Sequence, residues 1–136
     1  MKRALIISLF LIAIFGINSF AQEKKLETQS QKQQIILKPY LIVGDIIYIA
    51  QLLNNVEIHG NEVESFLAVR TIINNTLLTI QNKNLQATDS LVVEMNIPIA
   101  QNLLNLLDRA TIQGAHADRY KRFVEAIMES AKQVQK

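Results

Sequence analysis

The residues able to hold a metal or move a proton are few, and they gather at two places. His59 stands between Glu57 and Glu62, and His116 stands beside Asp118; the chain has two histidines and no cysteine. Imidazole and carboxylate are the ligand types of zinc and copper sites. His59, Glu62, His116 and Asp118 are therefore the metal-ligand candidates, and a metal-dependent enzyme at the His59/His116 end is one reading of the chain. Against it, no ligand pair has a spacing that fixes coordination geometry. Both histidines fall in connections between helices, where acids near a helix start have a plainer role in complementing its dipole.

Other catalytic templates fail on the residues. There is no Gly-x-Ser-x-Gly elbow, His-Glu-x-x-His helix, phosphate-binding Gly-x-x-x-x-Gly-Lys loop or thiol nucleophile. Glu62 and Glu64, two apart on a helix, point to different faces. Gly60 and Gly114 each precede a helix and read as turn positions, with no glycine cluster to cradle a phosphate. The expectation is a protein without catalytic residues and without a cofactor.

The elements that would position these residues are mostly helical. Ile42, Ile46, Ile49 and Leu53 recur at helical spacing, which predicts a first helix from about Tyr40 to Asn54. Asn61 with Glu64 reads as the cap of a second helix, running to about Gln81 with Val63, Phe66, Ile73, Leu77 and Ile80 on one stripe. Asn96-Ile97-Pro98 reads as the start of a third, carrying Leu103, Leu106 and Leu107. After Gly114 comes the clearest amphipathic segment, with Phe123 and Ile127 on one face and Arg119, Lys121 and Arg122 on the other. Asp118 with Arg122, and Lys121 with Glu125, stand at i,i+4 pairing distance on that solvated face. Tyr48 lies off the first helix's apolar stripe and reads as a surface residue. Two β-like segments, at about 35–38 and 90–94, either pair into a minimal ribbon or remain loops.

A shift of 54 residues superposes the two halves of this pattern. It lays Leu37 on Leu91, Leu52-Leu53 on Leu106-Leu107, Gly60 on Gly114 and Ile73 on Ile127. Residues 37–80 and 91–134 then read as tandem copies, although amphipathic helices also align by periodicity alone. On either account, two helical hairpins that are each apolar on one side must cover one another. The expected fold is all-α, mainly an antiparallel four-helix bundle formed by residues 35–136.

The first 21 residues give the chain an address. Lys2 and Arg3, an apolar run from Ala4 to Ile17, and small residues at Ser19 and Ala21 form a secretory signal peptide with cleavage between Ala21 and Gln22. The run is short of the about 20 residues a spanning helix needs, so no stable membrane anchor is expected after cleavage. Residues 22–34 are a polar tract read as a disordered leader. Losing Lys2 and Arg3 brings the 14 basic residues level with the 12 acids, which leaves no electrostatic footprint for nucleic acid.

These features point to an exported protein, periplasmic or secreted, with a non-enzymatic interaction or structural role in the bacterial envelope. Its partner would be another protein or a second copy of itself. A carrier of a small apolar ligand held between the hairpins is the alternative among binding proteins.

Overall fold

A computed structural model describes residues 34–134 of the chain. The proposed signal peptide, its cleavage point and nearly all of the polar leader lie outside the described residues.

The alternation from Ile36 to Ile42 decides the first elements. Leu37, Pro39 and Leu41 are buried while Ile36, Lys38 and Tyr40 are exposed, the two-residue period of an extended chain with one covered face. Strands β1 (Ile36–Leu37), β2 (Tyr40–Ile42), β3 (Ser90–Val92) and β4 (Met95–Asn96) form two short antiparallel pairs, β1 with β4 and β2 with β3. Leu37 sits opposite Met95, and Leu41 opposite Leu91. The pairs share one register. Between them the Val93 amide donates to the Pro39 carbonyl at 3.1 Å, and Lys38 Nζ meets Glu94 Oε1 at 2.8 Å. Proline has no N–H to return, which breaks the ladder there.

Four helices complete the fold: α1 (Val43–Leu53), α2 (Val63–Asn82), α3 (Ile97–Asp108) and α4 (Ala117–Gln133). Single 3-10 turns at Gly60–Glu62 and Gly114–His116 lead into α2 and α4. The molecule is thus mainly helical, with the strand pairs packed on α1, α3 and α4. Buried side chains from every helix meet in one core, including Ile46, Ile49, Ile73, Leu103, Leu107 and Phe123.

Each element recurs at the same 54-residue offset. The turn Gly60–Glu62 corresponds to Gly114–His116, and the first residues of α1 and α2 correspond to those of α3 and α4. The Pro39–Val93 rung joins two residues related by that offset, so an approximate two-fold axis crosses the ribbon there. All strand pairing runs between the halves, as does the packing of α1 on α4 and of α2 on α3.

Equivalent ends are stabilised differently. At α1 the Val43 and Gly44 amides donate to the Asp89 and Ala87 carbonyls, both at 2.9 Å. A Cβ on Gly44 would stand 3.0 Å from the Ala87 oxygen, so this close approach needs glycine. At α3 the equivalent position is Pro98, which needs no acceptor, and Asn96 Oδ1 accepts from the Ile99 amide at 2.9 Å. Helix α2 ends in a Schellman turn. Asn84 takes a φ of 50°, Leu85 N–H bonds to Ile80 O at 3.0 Å, and Asn84 N–H bonds to Gln81 O at 3.1 Å.

Several local expectations need correction. The first helix starts at Val43 rather than Tyr40, because Tyr40–Ile42 is drawn into pairing with Ser90–Val92. The cap before α2 is formed by Glu62 on the His59 amide, at 2.8 Å, and not by Asn61 with Glu64. Val63 is exposed rather than part of the buried stripe, since the helix has only begun there and nothing covers it.

Candidate functional site

The connections α1–α2 and α3–α4 lie side by side at one end of the fold. They enclose an open cavity of about 480 Å³, lined mainly by Leu52, Asn55, Glu57, His59, Arg109 and Thr111. Glu62 anchors this end. Its Oε2 accepts from the His59 amide at 2.8 Å and from both Arg109 terminal nitrogens at 3.1 and 3.2 Å. The His59 amide first, and then Arg109, hold the Glu62 carboxyl below its ordinary value of 4.5.

A carboxylate whose folded pKa is lowered contributes stability above its unfolded value and loses that contribution as pH falls through the folded value. Thermal unfolding of the wild type should therefore show an acid limb beginning below pH 4.5 that Glu62→Gln flattens. Melting curves from pH 7 to 3 check this. Equal acid limbs in the two proteins would contradict it.

His116 takes a different place. Its ring lies 4.7 Å from that of Tyr48, tilted by 44°. Tyr48 is only 8% exposed, against the expectation of a surface residue, because α4 descends over α1 and covers it. Its hydroxyl is buried without a hydrogen-bond partner. His59 and Asp118 are exposed. The four metal candidates therefore divide. Glu62 and His116 occupy equivalent positions, but the approximate two-fold turns Glu62 toward the end of α3 and His116 toward α1. Among the described residues, no three His, Asp or Glu side chains converge where a cation could sit.

One polar contact escaped the sequence reading. Asp45, in the first turn of α1, is 2% exposed, and its two oxygens accept from Arg122 Nε at 3.1 Å and Nη2 at 2.9 Å. The pairing raises the Arg122 pKa further above its ordinary value. Arg122 was expected to pair with Asp118 on a solvated face; the bidentate fit to a buried carboxylate draws it inward instead. The available signal was an acid at the start of an otherwise apolar helix. The equivalent positions in the other half are Ile99 and Ala68, so the molecule holds this ion pair on one side only.

The outer faces of α2 and α4 also differ. Position by position, Lys121, Glu125, Glu129 and Lys132 of α4 correspond to Leu67, Thr71, Asn75 and Leu78 of α2. Leu67 is 48% exposed and Leu78 is 55% exposed. Between α3 and α4 runs an open, mainly apolar groove of about 220 Å³, where Leu37, Leu104 and Ile127 form part of the wall. Ala100 and Ala131 also line it, at positions the other half fills with Ile46 and Leu77.

Comparison with protein-family models, curated proteins and solved structures finds no match. Function must then be read from the molecule's own surfaces. Among the described residues, no helix is long and apolar enough to cross a membrane.

Proposed function

We propose that this is an exported, non-enzymatic protein of the bacterial envelope that binds another protein through the outer face of α2. In this reading, a duplicated helical hairpin forms an antiparallel four-helix bundle, and the two copies have diverged on their outer surfaces. The single observation that carries the proposal is the pair Leu67 and Leu78, exposed on α2 at positions where α4 carries lysines. The two leucines are three helical turns apart on one side, about 16 Å along the axis. Together they offer apolar area on one side of the helix that a partner would cover. Export rests on the Lys2-to-Ala21 pattern.

The proposal agrees with how the polar residues are used. Glu62 and Arg109 brace the ends of two helices, and Asp45 and Arg122 brace two others. Ligand carriage has less support, because drug-sized pockets occupy about 300–1,000 Å³ and are largely enclosed. The apolar groove is smaller, at about 220 Å³, and open, and the cavity of about 480 Å³ at the helix connections is open and lined largely by Asn55, Glu57, His59 and Arg109.

Leu67→Lys with Leu78→Lys transplants the residues of α4 onto α2. This variant should fold with a stability change within about 0.5 kcal/mol, as for ordinary surface substitutions. It should also lose the protein that the wild type retains in affinity capture from the envelope fraction. Equal retention by the two forms would refute the α2 contact.

A further inference from the structure

We infer that the α3/α4 face pairs with the same face of a second copy, through an antiparallel contact of the two α4 helices centred on Met128. This inference uses a different surface from α2 and does not depend on the partner proposed there.

Met128 is 48% exposed and stands at the rim of the groove between α3 and α4. The groove and the side chain that could fill one like it therefore lie together on a single surface. A two-fold contact requires this arrangement, because the same patch must serve as both donor and receiver. Methionine, unbranched and flexible, suits an irregular apolar slot. The slot exists because Ala100 and Ala131 stand where the other half carries Ile46 and Leu77.

The charges around Met128 select the occupant. At 100° per residue, Lys121, Glu125, Met128 and Lys132 fall on one narrow strip of α4. If two such strips run antiparallel with the axis beside Met128, Glu125 of one copy lies beside Lys132 of the other, and the pairing occurs twice. A parallel arrangement would set Glu125 against Glu125 and Lys132 against Lys132. Within one chain, Glu125 meets Lys121 at 3.8 Å and Lys132 meets Glu129 at 3.7 Å, all four side chains being more than 60% exposed. Such solvated pairs are weak and leave both groups free to re-pair across an interface. The corresponding strip of α2 (Thr71, Asn74, Leu78) has no charge with which to set such a register.

Sedimentation equilibrium of the chain as recovered from cells, over a range of concentrations, tests the inference. A monomer–dimer equilibrium is expected. Ala131→Leu, which places the Leu77 side chain of the other half in the groove, should raise the dimer Kd by about tenfold or more. Glu125→Lys should weaken the dimer similarly, and adding Lys132→Glu to it should restore the Kd to within about threefold of wild type. These charge changes are on exposed positions, so a folded protein is expected in each case and circular dichroism verifies it. A monomer at every concentration overturns the inference. So does a dimer that Ala131→Leu leaves unchanged, or one in which the double charge exchange fails to restore what Glu125→Lys removes.

Discussion

Phe123→Ala should destabilise the fold by about 3–5 kcal/mol, the usual cost of emptying a buried aromatic site. Phe123 is the largest fully buried side chain among the described residues and belongs to α4, which packs on α1. Helix α4 gives it unusual weight. The outer face of that helix is charged, and its packing against α3 is slight, so Phe123, Ile127 and the partly buried Tyr120 supply much of its apolar attachment, beside the Arg122–Asp45 pair. Small domains have total stabilities of about 5–15 kcal/mol, so this loss is a large share of the whole. The equivalent residue in α2 is Val69, which is also buried. Truncating Val69 removes fewer atoms and should cost less, although the two sites occupy equivalent places about the approximate two-fold. Urea unfolding of the two variants measures the contrast. A Phe123→Ala loss below about 1 kcal/mol would mean that α4 is held by other contacts.

The second large effect is expected at the Asp45–Arg122 pair. Arg122→Ala leaves a carboxylate that is 2% exposed without its bidentate partner. Removing one member of a fully buried pair costs about 3–5 kcal/mol. The Arg122 side chain is half exposed, so solvent screens the pair and the loss should fall short of that range while remaining measurable by chemical denaturation. Asp45→Ala should cost less, because the released guanidinium can turn into water. The informative variant is Asp45→Ile with Arg122→Ala, which installs the residues of the equivalent interface, Ile99 and Ala68. It should recover most of the loss, since apolar replacement of a buried pair is often neutral or stabilising. With Asp45→Ile and Arg122→Ala each made alone, a double-mutant cycle by chemical denaturation reads the coupling directly. If the double substitution is as damaging as the two single ones added together, the two interfaces are not interchangeable in shape.

Local spacing in the sequence already encoded much of this architecture. Ile46, Ile49 and Leu53 mark one face of α1 by helical period alone, and Leu103 and Leu107 do the same for α3. Asn96-Ile97-Pro98 carries the start of α3 in its own chemistry, through a capping amide and a proline that needs no acceptor. Tyr40–Ile42 was not legible in this way. Its residues suit the start of a helix as well as a strand, and the choice depends on Ser90–Val92, a distant segment that supplies the pairing. The candidate site was legible only as residue types. His59, Glu62, His116 and Asp118 lie at the expected end of the molecule, but their rotation about the approximate two-fold sends Glu62 to Arg109 and His116 to Tyr48.

What the sequence determined by itself is whatever depends on near neighbours: the periods of the apolar residues, the capping signals, the turn glycines and the 54-residue offset between matching positions. Tertiary structure alone decided which face meets which. It buried Tyr48 beneath α4, carried Arg122 past the nearby Asp118 to Asp45, and left Leu67 and Leu78 uncovered while burying Val69, Ile73 and Thr76 between them. The physical reason is that helical period fixes the direction of a side chain from its own axis, whereas its partner depends on how whole faces stack. That stacking is a collective minimum over the core, which no single spacing contains.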